Sequence, residues 1–284
     1  MRGMLATLLW LLTTVALALA LPAAWVQTHL VNEGGYARFA EDAASQPALQ
    51  QAMAGELTTQ ILNLGPGLQP DLVAALTSSY TASAPFPQQF AEANRFAHRW
   101  MFTDAVGSQT DAEGRWVVDI GPMLNDTSIK DTLQNYNIEV PQSLPVPLTQ
   151  NAPEALRPGR LQTVGSWGPW FTIGAVGLAA VFALLTLAAA RSRGKALAAL
   201  GVSALIVGAA GWAGLEIGRG RLETALGDTS GDVRAIADAL VDTAIGSMHH
   251  WLNLTLATGG GLVALGVLFA MLGGVFRRTV REPA

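Results

Sequence analysis

The chain has 284 residues, 50% of them hydrophobic and 13% charged, with a formal net charge of −4 and no cysteine. Soluble domains average about 25% charged residues, so the composition argues for membrane rather than aqueous surroundings. The missing thiols exclude a disulfide framework and thiol catalysis, and the mildly acidic balance offers no footprint for a nucleic acid partner.

Residues 4–26 contain no Asp, Glu, Lys or Arg. A helix needs about 20 apolar residues to cross a ~30 Å hydrocarbon layer, so this run reads as transmembrane helix 1. A cleaved signal peptide is the competing reading, given the small residues Ala18 and Ala20. The apolar core of such a peptide usually spans about 7–15 residues, and this run is longer.

Residues 27–166 follow, long enough for one compact domain with its own core. Leu49, Met53, Leu57 and Ile61 recur at four-residue spacing after Pro47 and predict a helix, stopped by Gly65, Pro66 and Gly67. Leu72, Leu76 and Tyr80 after Pro70 predict a second; Phe90, Ala93, Ala97 and Met101 after Pro87 predict a third. The period then changes to two at Trp116, Val118 and Ile120, which predicts a short strand behind a turn at residues 111–114. Residues 126–136 look helical again. Pro141, Pro145, Pro147 and Pro153 then predict an extended path.

Three more uncharged apolar runs predict transmembrane helices 2, 3 and 4 at residues 167–190, 196–215 and 251–276. Between the last two lies a loop, 216–250. Val233, Ile236, Leu240, Ala244 and Met248 form an apolar stripe in it, with Asp232, Arg234, Asp238 and Asp242 mostly off the stripe. The stripe predicts a helix that docks on the large loop or lies along the membrane surface. Residues 277–284 form a short basic tail.

Orientation follows from the flanks. Arg2, then Arg191, Arg193 and Lys195, then Arg277, Arg278 and Arg281 mark three short segments that hold seven bases and one acid, Glu282. Short cytoplasmic segments collect Lys and Arg, so both termini are expected in the cytoplasm and residues 27–166 and 216–250 outside. Trp25, Trp167, Trp170, Trp212 and Trp251 then all fall at outer ends of spans, where an amphipathic ring prefers to sit. The expected fold class is an all-α membrane protein with four transmembrane helices and a mostly helical extracytoplasmic domain containing a short β element. Its expected location is the plasma membrane.

Several patches also resemble a known group. Residues 24–30 (AWVQTHL), 36–40 (YARFA), 46–50 (QPALQ), 57–61 (LTTQI), 93–98 (ANRFAH), 118–122 (VDIGP) and 191–195 (RSRGK) are similar to a group of uncharacterised actinobacterial integral membrane proteins. Members have one early span, an extracytoplasmic helical domain and a cluster of later spans. The usual threonine- and aspartate-rich stretch is replaced here by residues 32–35 (NEGG). The resemblance implies that architecture and an actinobacterial cell envelope, and no activity.

Candidate sites are few. Asn94, Arg95, His98 and Arg99 lie within two turns of one helix, with Asn94 and His98 sharing a face at i, i+4. They could bind an anionic headgroup, a sugar phosphate or a partner's carboxylate. The plainer reading is an internal polar knot, with Glu92 bridging Arg95. His249 and His250 are adjacent and point to different helix faces, which makes a poor chelate. Asp111, Glu113, Asp119, Asp126 and Asp131 lack the spacing of a calcium loop. No metal ligand set, cofactor motif or catalytic motif is recognised.

Small residues mark helix-packing candidates: Ala210, Gly214 and Gly218 in one row, and Gly259, Gly260 and Gly261 in the last span. They serve either close packing within the bundle or docking to another membrane protein. The absence of ionisable residues inside the spans argues against a proton-coupled pump or a charged-substrate channel built from one copy. The expected partners are the lipid bilayer and an envelope or membrane protein. The leading expectation for function is a non-enzymatic accessory or scaffold whose extracytoplasmic domain positions an envelope partner. The rival is a lipid-handling carrier or enzyme with an apolar pocket in that domain.

Overall fold

The computed structural model describes residues 2–65, 67–102, 117–119, 142, 145–147, 161–225 and 231–279. Helix α1 (Arg2–Val26) runs into a π-helical turn (Gln27–Val31). Four helices follow: α2 (Glu33–Ala44), α3 (Pro47–Leu64), α4 (Pro70–Thr81) and α5 (Phe86–Phe102). Two three-residue strands, β1 (Val117–Asp119) and β2 (Pro145–Pro147), pair antiparallel with Val118 opposite Val146. Then come α6 (Gln162–Ala189), α7 (Arg193–Ala225) and α8 (Gly231–Thr279). The expected helix at residues 126–136 and the acidic residues Asp111, Glu113, Asp126 and Asp131 lie outside the described residues.

Among the described residues, four helical stretches are long and apolar enough to cross a bilayer: Gly3–Val31, Gln162–Ala189, Arg193–Arg221 and Gly231–Leu272. The shortest has 28 residues, about 42 Å at 1.5 Å per residue, which exceeds the hydrocarbon thickness. The protein is a multi-pass membrane protein. Its chain divides into two compact units: Met1–Gln27 with Trp167–Ala225 and Ile245–Ala284, and Thr28–Ser166 with Leu226–Ala244.

In the first, the membrane unit, polar side chains join helices that have no water to bond. The Trp10 indole Nε1 donates to the Ala199 carbonyl at 2.7 Å, and the hydroxyls of Thr14 and Ser203 meet at 2.8 Å, so α1 is stapled to α7. On its other side α1 meets α6 through Ala16, Ala20, Ala175 and Ala179, with Thr13 and Thr186 hydroxyls 3.5 Å apart. The side chains are small, so the backbones approach closely and dispersion replaces a hydrophobic drive that lipid cannot supply. Beyond α1, most large apolar side chains of α6 are exposed, among them Trp167, Trp170, Phe171 and Leu184.

Helices α7 and α8 pack antiparallel on glycine. A Cβ at Gly194 would lie 2.7 Å from the Gly266 carbonyl oxygen. One at Gly201 would lie 2.6 Å from that of Gly259, and one at Gly208 would lie 2.7 Å from Leu256 Cδ2. Gly194, Gly201 and Gly208 are seven residues apart, as are Gly259 and Gly266. A seven-residue repeat keeps one seam of a helix facing its partner. Of the packing candidates read from the sequence, Gly259 is buried in this seam, whereas a Cβ at Gly214, Gly218, Gly260 or Gly261 would meet open space, and Ala210 is exposed. Within this chain the four-residue row faces open space, because the contact between α7 and α8 follows the seven-residue period.

The second unit has its own core. Asn32 caps α2, its Oδ1 accepting from the Gly35 amide at 2.8 Å. Pro47 and Pro70 open α3 and α4 at the first helical position, where the missing N–H would have no partner anyway. Leu49, Tyr80 and Phe86 are almost wholly buried, with Tyr80 and Phe86 edge to face at 5.5 Å. Fully burying such a side chain is worth about 1.5–3 kcal/mol. The buried hydroxyl of Thr77 meets that of Thr58 at 2.7 Å. Ala239 and Leu240 from the first part of α8 join this core, so the amphipathic stripe docks on the large loop.

The helix boundaries correct the sequence reading in two places. The spans expected at 196–215 and 251–276 are parts of longer helices, and the expected loop 216–250 is largely the end of α7 and the beginning of α8. Loss of apolar character marks where hydrocarbon ends and does not stop a helix; that takes a breaker or a cap, and neither Glu216 nor His249, His250 and Trp251 is one. Helix α2, absent from the expected elements, carried a signal in the Asn32 cap ahead of buried Ala37, Ala40 and Ala44.

The seam predicts an asymmetric response. Gly201→Val puts side-chain atoms into the α8 backbone and is expected to destabilise the detergent-solubilised protein by about 1–3 kcal/mol. Gly260→Val faces open space and is expected to stay within about 0.5 kcal/mol of wild type. Thermal unfolding followed by circular dichroism checks both.

Candidate functional site

Asn94, Arg95, His98 and Arg99 sit on α5, whose other face holds Phe86 and Phe90 in the second unit's core. Their neighbours are the π-helical turn and α2. The last four carbonyls of a helix have no intrahelical partner, and the end of the turn must find donors elsewhere. His98 supplies one: its Nε2 lies 3.1 Å from the Leu30 carbonyl oxygen and 3.0 Å from that of Val31. Both partners are acceptors, so Nε2 carries the proton.

The rest of the cluster closes around that contact. His98 is 5% exposed. Its ring stacks on Phe102, with centroids 4.3 Å apart and planes at 13°, and lies 5.3 Å from the Tyr36 ring. The Tyr36 hydroxyl donates to Asn94 Oδ1 at 3.2 Å, and Asn94 Nδ2 donates to the Phe90 carbonyl at 2.9 Å. Burial raises the pKa of Tyr36, which keeps it protonated as the donor. A Cβ on Gly35 would fall on the Thr28 carbonyl, so only glycine lets α2 rest on the turn.

Charge lies at the rim. Arg95 Nε is 3.7 Å from Glu92 Oε1 on the same helix, and Arg99 Nε is 3.6 Å from Glu33 Oε1 on α2. All four side chains are substantially exposed, and such pairs are worth about 0–1 kcal/mol. Burial pulls the His98 pKa below the usual imidazole value, against the two carbonyl contacts and Glu33, which act to raise it. The structure therefore brings the four residues together: His98 turns to backbone carbonyls, Asn94 to Tyr36 and the Phe90 carbonyl, and the two arginines lie at ion-pair distance from carboxylates, with Arg95 Nε making no hydrogen bond. This is the internal knot, including the Glu92–Arg95 bridge.

The adjacent histidines part company in the membrane unit. His249 stacks on Trp212, with centroids 3.7 Å apart and planes at 13°, while His250 is exposed. Trp212 Nε1 donates to Asn253 Oδ1 at 3.4 Å, and Trp25 Nε1 donates to Ser247 Oγ at 3.1 Å. Aromatic rings with a polar edge thus cluster where the apolar run of α8 begins. Among the described residues no group of three or more His, Cys, Asp or Glu is placed to hold a metal ion.

Three residues of the cluster escaped the sequence reading. Tyr36 stands on another helix, α2, and Phe102 stands four residues after His98 on α5. Gly35 was read only as part of residues 32–35. The legible signal was Asn32, whose capping role would have placed α2 and with it Tyr36. Compared with known proteins, the chain matches no family model, no curated protein and no solved structure.

The knot predicts local stability effects. Asn94→Ala leaves the Tyr36 hydroxyl without its acceptor and is expected to destabilise the protein by about 1–2 kcal/mol. Arg99→Ala loses one exposed pair and is expected to change stability by less than about 1 kcal/mol. Urea unfolding followed by tryptophan fluorescence measures both.

Proposed function

We propose that this protein is a non-enzymatic accessory or scaffold of the cell envelope. Its second unit lies outside the plasma membrane and positions an envelope partner, while the membrane unit anchors it. The resemblance to actinobacterial membrane proteins fits the same setting. One observation carries the reading. The most chemically capable cluster, around His98, spends its groups on holding α2, α5 and the π-helical turn together.

Two further observations support it. Among the described residues of the second unit, Leu49, Tyr80, Phe86 and their neighbours pack into one core, which supports a scaffold over a lipid carrier. The spans hold hydroxyls and glycines where a transporter would place ionisable groups. The exposed Arg191, Arg193 and Lys195 at the turn between α6 and α7 support the orientation through the positive-inside preference.

The native chain has no cysteine, so single-cysteine labelling reads orientation directly. In intact cells a membrane-impermeant maleimide is expected to label Asp71→Cys and to miss Arg191→Cys; the reverse pattern overturns the arrangement. In-cell crosslinking followed by purification in mild detergent is expected to recover one reproducible envelope protein joined through the second unit. A chain recovered only alone, or with bound lipid as its single companion, refutes the scaffold and favours lipid handling.

A further inference from the structure

Helix α1 carries the marks of a secretory leader: Arg2 ahead of an apolar run, with small residues at Ala18 and Ala20. We infer that this helix is never released. Residues 2–26 stay in the mature protein as the helix on which the membrane unit is assembled, and packing against α6 closes the stretch 18–20 to signal peptidase. The inference is independent of the scaffold reading.

Helix α6 depends on α1 most. Its buried residues are Ala175, Ala179 and Thr186, and each of them faces α1. Ala175 and Ala179 pack with Ala16 and Ala20, and the Thr186 hydroxyl lies 3.5 Å from that of Thr13. Among the described residues, a cut after Ala20 would therefore leave α6 without its buried contacts. Only the hydrogen bond from Thr172 Oγ1 to the Ala23 carbonyl, 3.3 Å, falls beyond that point. In lipid, apolar surface by itself does not draw helices together, so the exposed Ile173, Leu178 and Leu184 supply no replacement.

The same helix holds α7 and α8. Trp10 Nε1 donates to the Ala199 carbonyl, and the Thr14 hydroxyl meets that of Ser203, which is wholly buried. Trp25, 6% exposed, donates to Ser247 on α8. Contacts to three separate helices are spread along α1, which is the pattern of a bundle member.

The backbone around Ala20 is also closed to a protease. Nicking takes place in exposed segments whose backbone can leave its hydrogen bonds. Ala20 is 4% exposed and lies in a helix that runs on to Val26 and into the π-helical turn. Pro22 removes the N–H that the Ala18 carbonyl would otherwise bond, and the helix continues through it. Ala20 also lies about 9 Å of helix short of Val26, inside the span rather than at its outer end.

The full chain with one epitope at each end, expressed in a bacterium that has signal peptidase, tests retention. Immunoblots of its membranes are expected to show both epitopes on one band. A band that carries only the C-terminal epitope and is shorter by about 20 residues overturns the inference. The chain has no cysteine, so Ala20→Cys combined with Ala175→Cys reads the contact between α1 and α6 in the same membranes. After oxidation with iodine and denaturation in SDS, the double variant is expected to take up no mass-tagged maleimide, because its two thiols have joined as an internal disulfide. Two thiols that still react show α1 unpacked from α6 and sink the idea, even where the N-terminal epitope is kept. Should that variant fail to accumulate, Ala16→Cys with Ala179→Cys takes its place with the same readings.

Discussion

A backbone amide or carbonyl placed in hydrocarbon has no water to bond, and each unpaired group costs several kcal/mol. Helices answer this within a single segment, and every long apolar run of this chain is helical. The same constraint governs side chains in the membrane unit. The hydroxyls of Thr13, Thr14, Thr186 and Ser203 each lie within reach of the carbonyl four residues back and of a hydroxyl on another helix; with one proton apiece, one member of each pair donates across while the other donates to its own helix. Polar groups thus act as contacts between α1, α6 and α7 in place of a hydrophobic drive. Where α7 and α8 meet, glycine does that work by letting backbone approach backbone.

The second unit follows the opposite physics. The unit closes by burying Leu49, Tyr80, Phe86 and the alanines of α2. Helix α8 contributes to both units: Ala239 belongs to the second unit's core and Gly259 to the glycine seam with α7. Its sequence changes character along its length accordingly, from an amphipathic stripe with charges opposite to an all-round apolar surface.

Between these regimes lies the turn at residues 27–31. Helix ends are where a membrane protein must find partners for orphan carbonyls, and here the donor is an imidazole rather than a lysine or arginine. A histidine can do this while neutral, and so can be buried against Phe102 and Tyr36 without carrying charge inside. That choice explains why the cluster with the most recognisable chemistry in the chain is inward-facing, and why its arginines stay at the rim with carboxylate partners.

Much of this was legible residue by residue. Proline at the first turn of α3 and α4 and the four-residue spacing of Leu49, Met53, Leu57 and Ile61 announced those helices, because helix starts and apolar faces are local properties. Membrane residence was legible for the same reason: it depends on the length of runs without charge. What the sequence alone could not determine was which faces meet. A glycine reads alike whether it opens a seam, as Gly201 does, or borders open space, as Gly260 does. A histidine reads alike whether it awaits a ligand or caps a helix 67 residues earlier in the chain. Tertiary structure decided those points, because close approach and hydrogen-bond pairing depend on the neighbour across the gap, which no local pattern encodes.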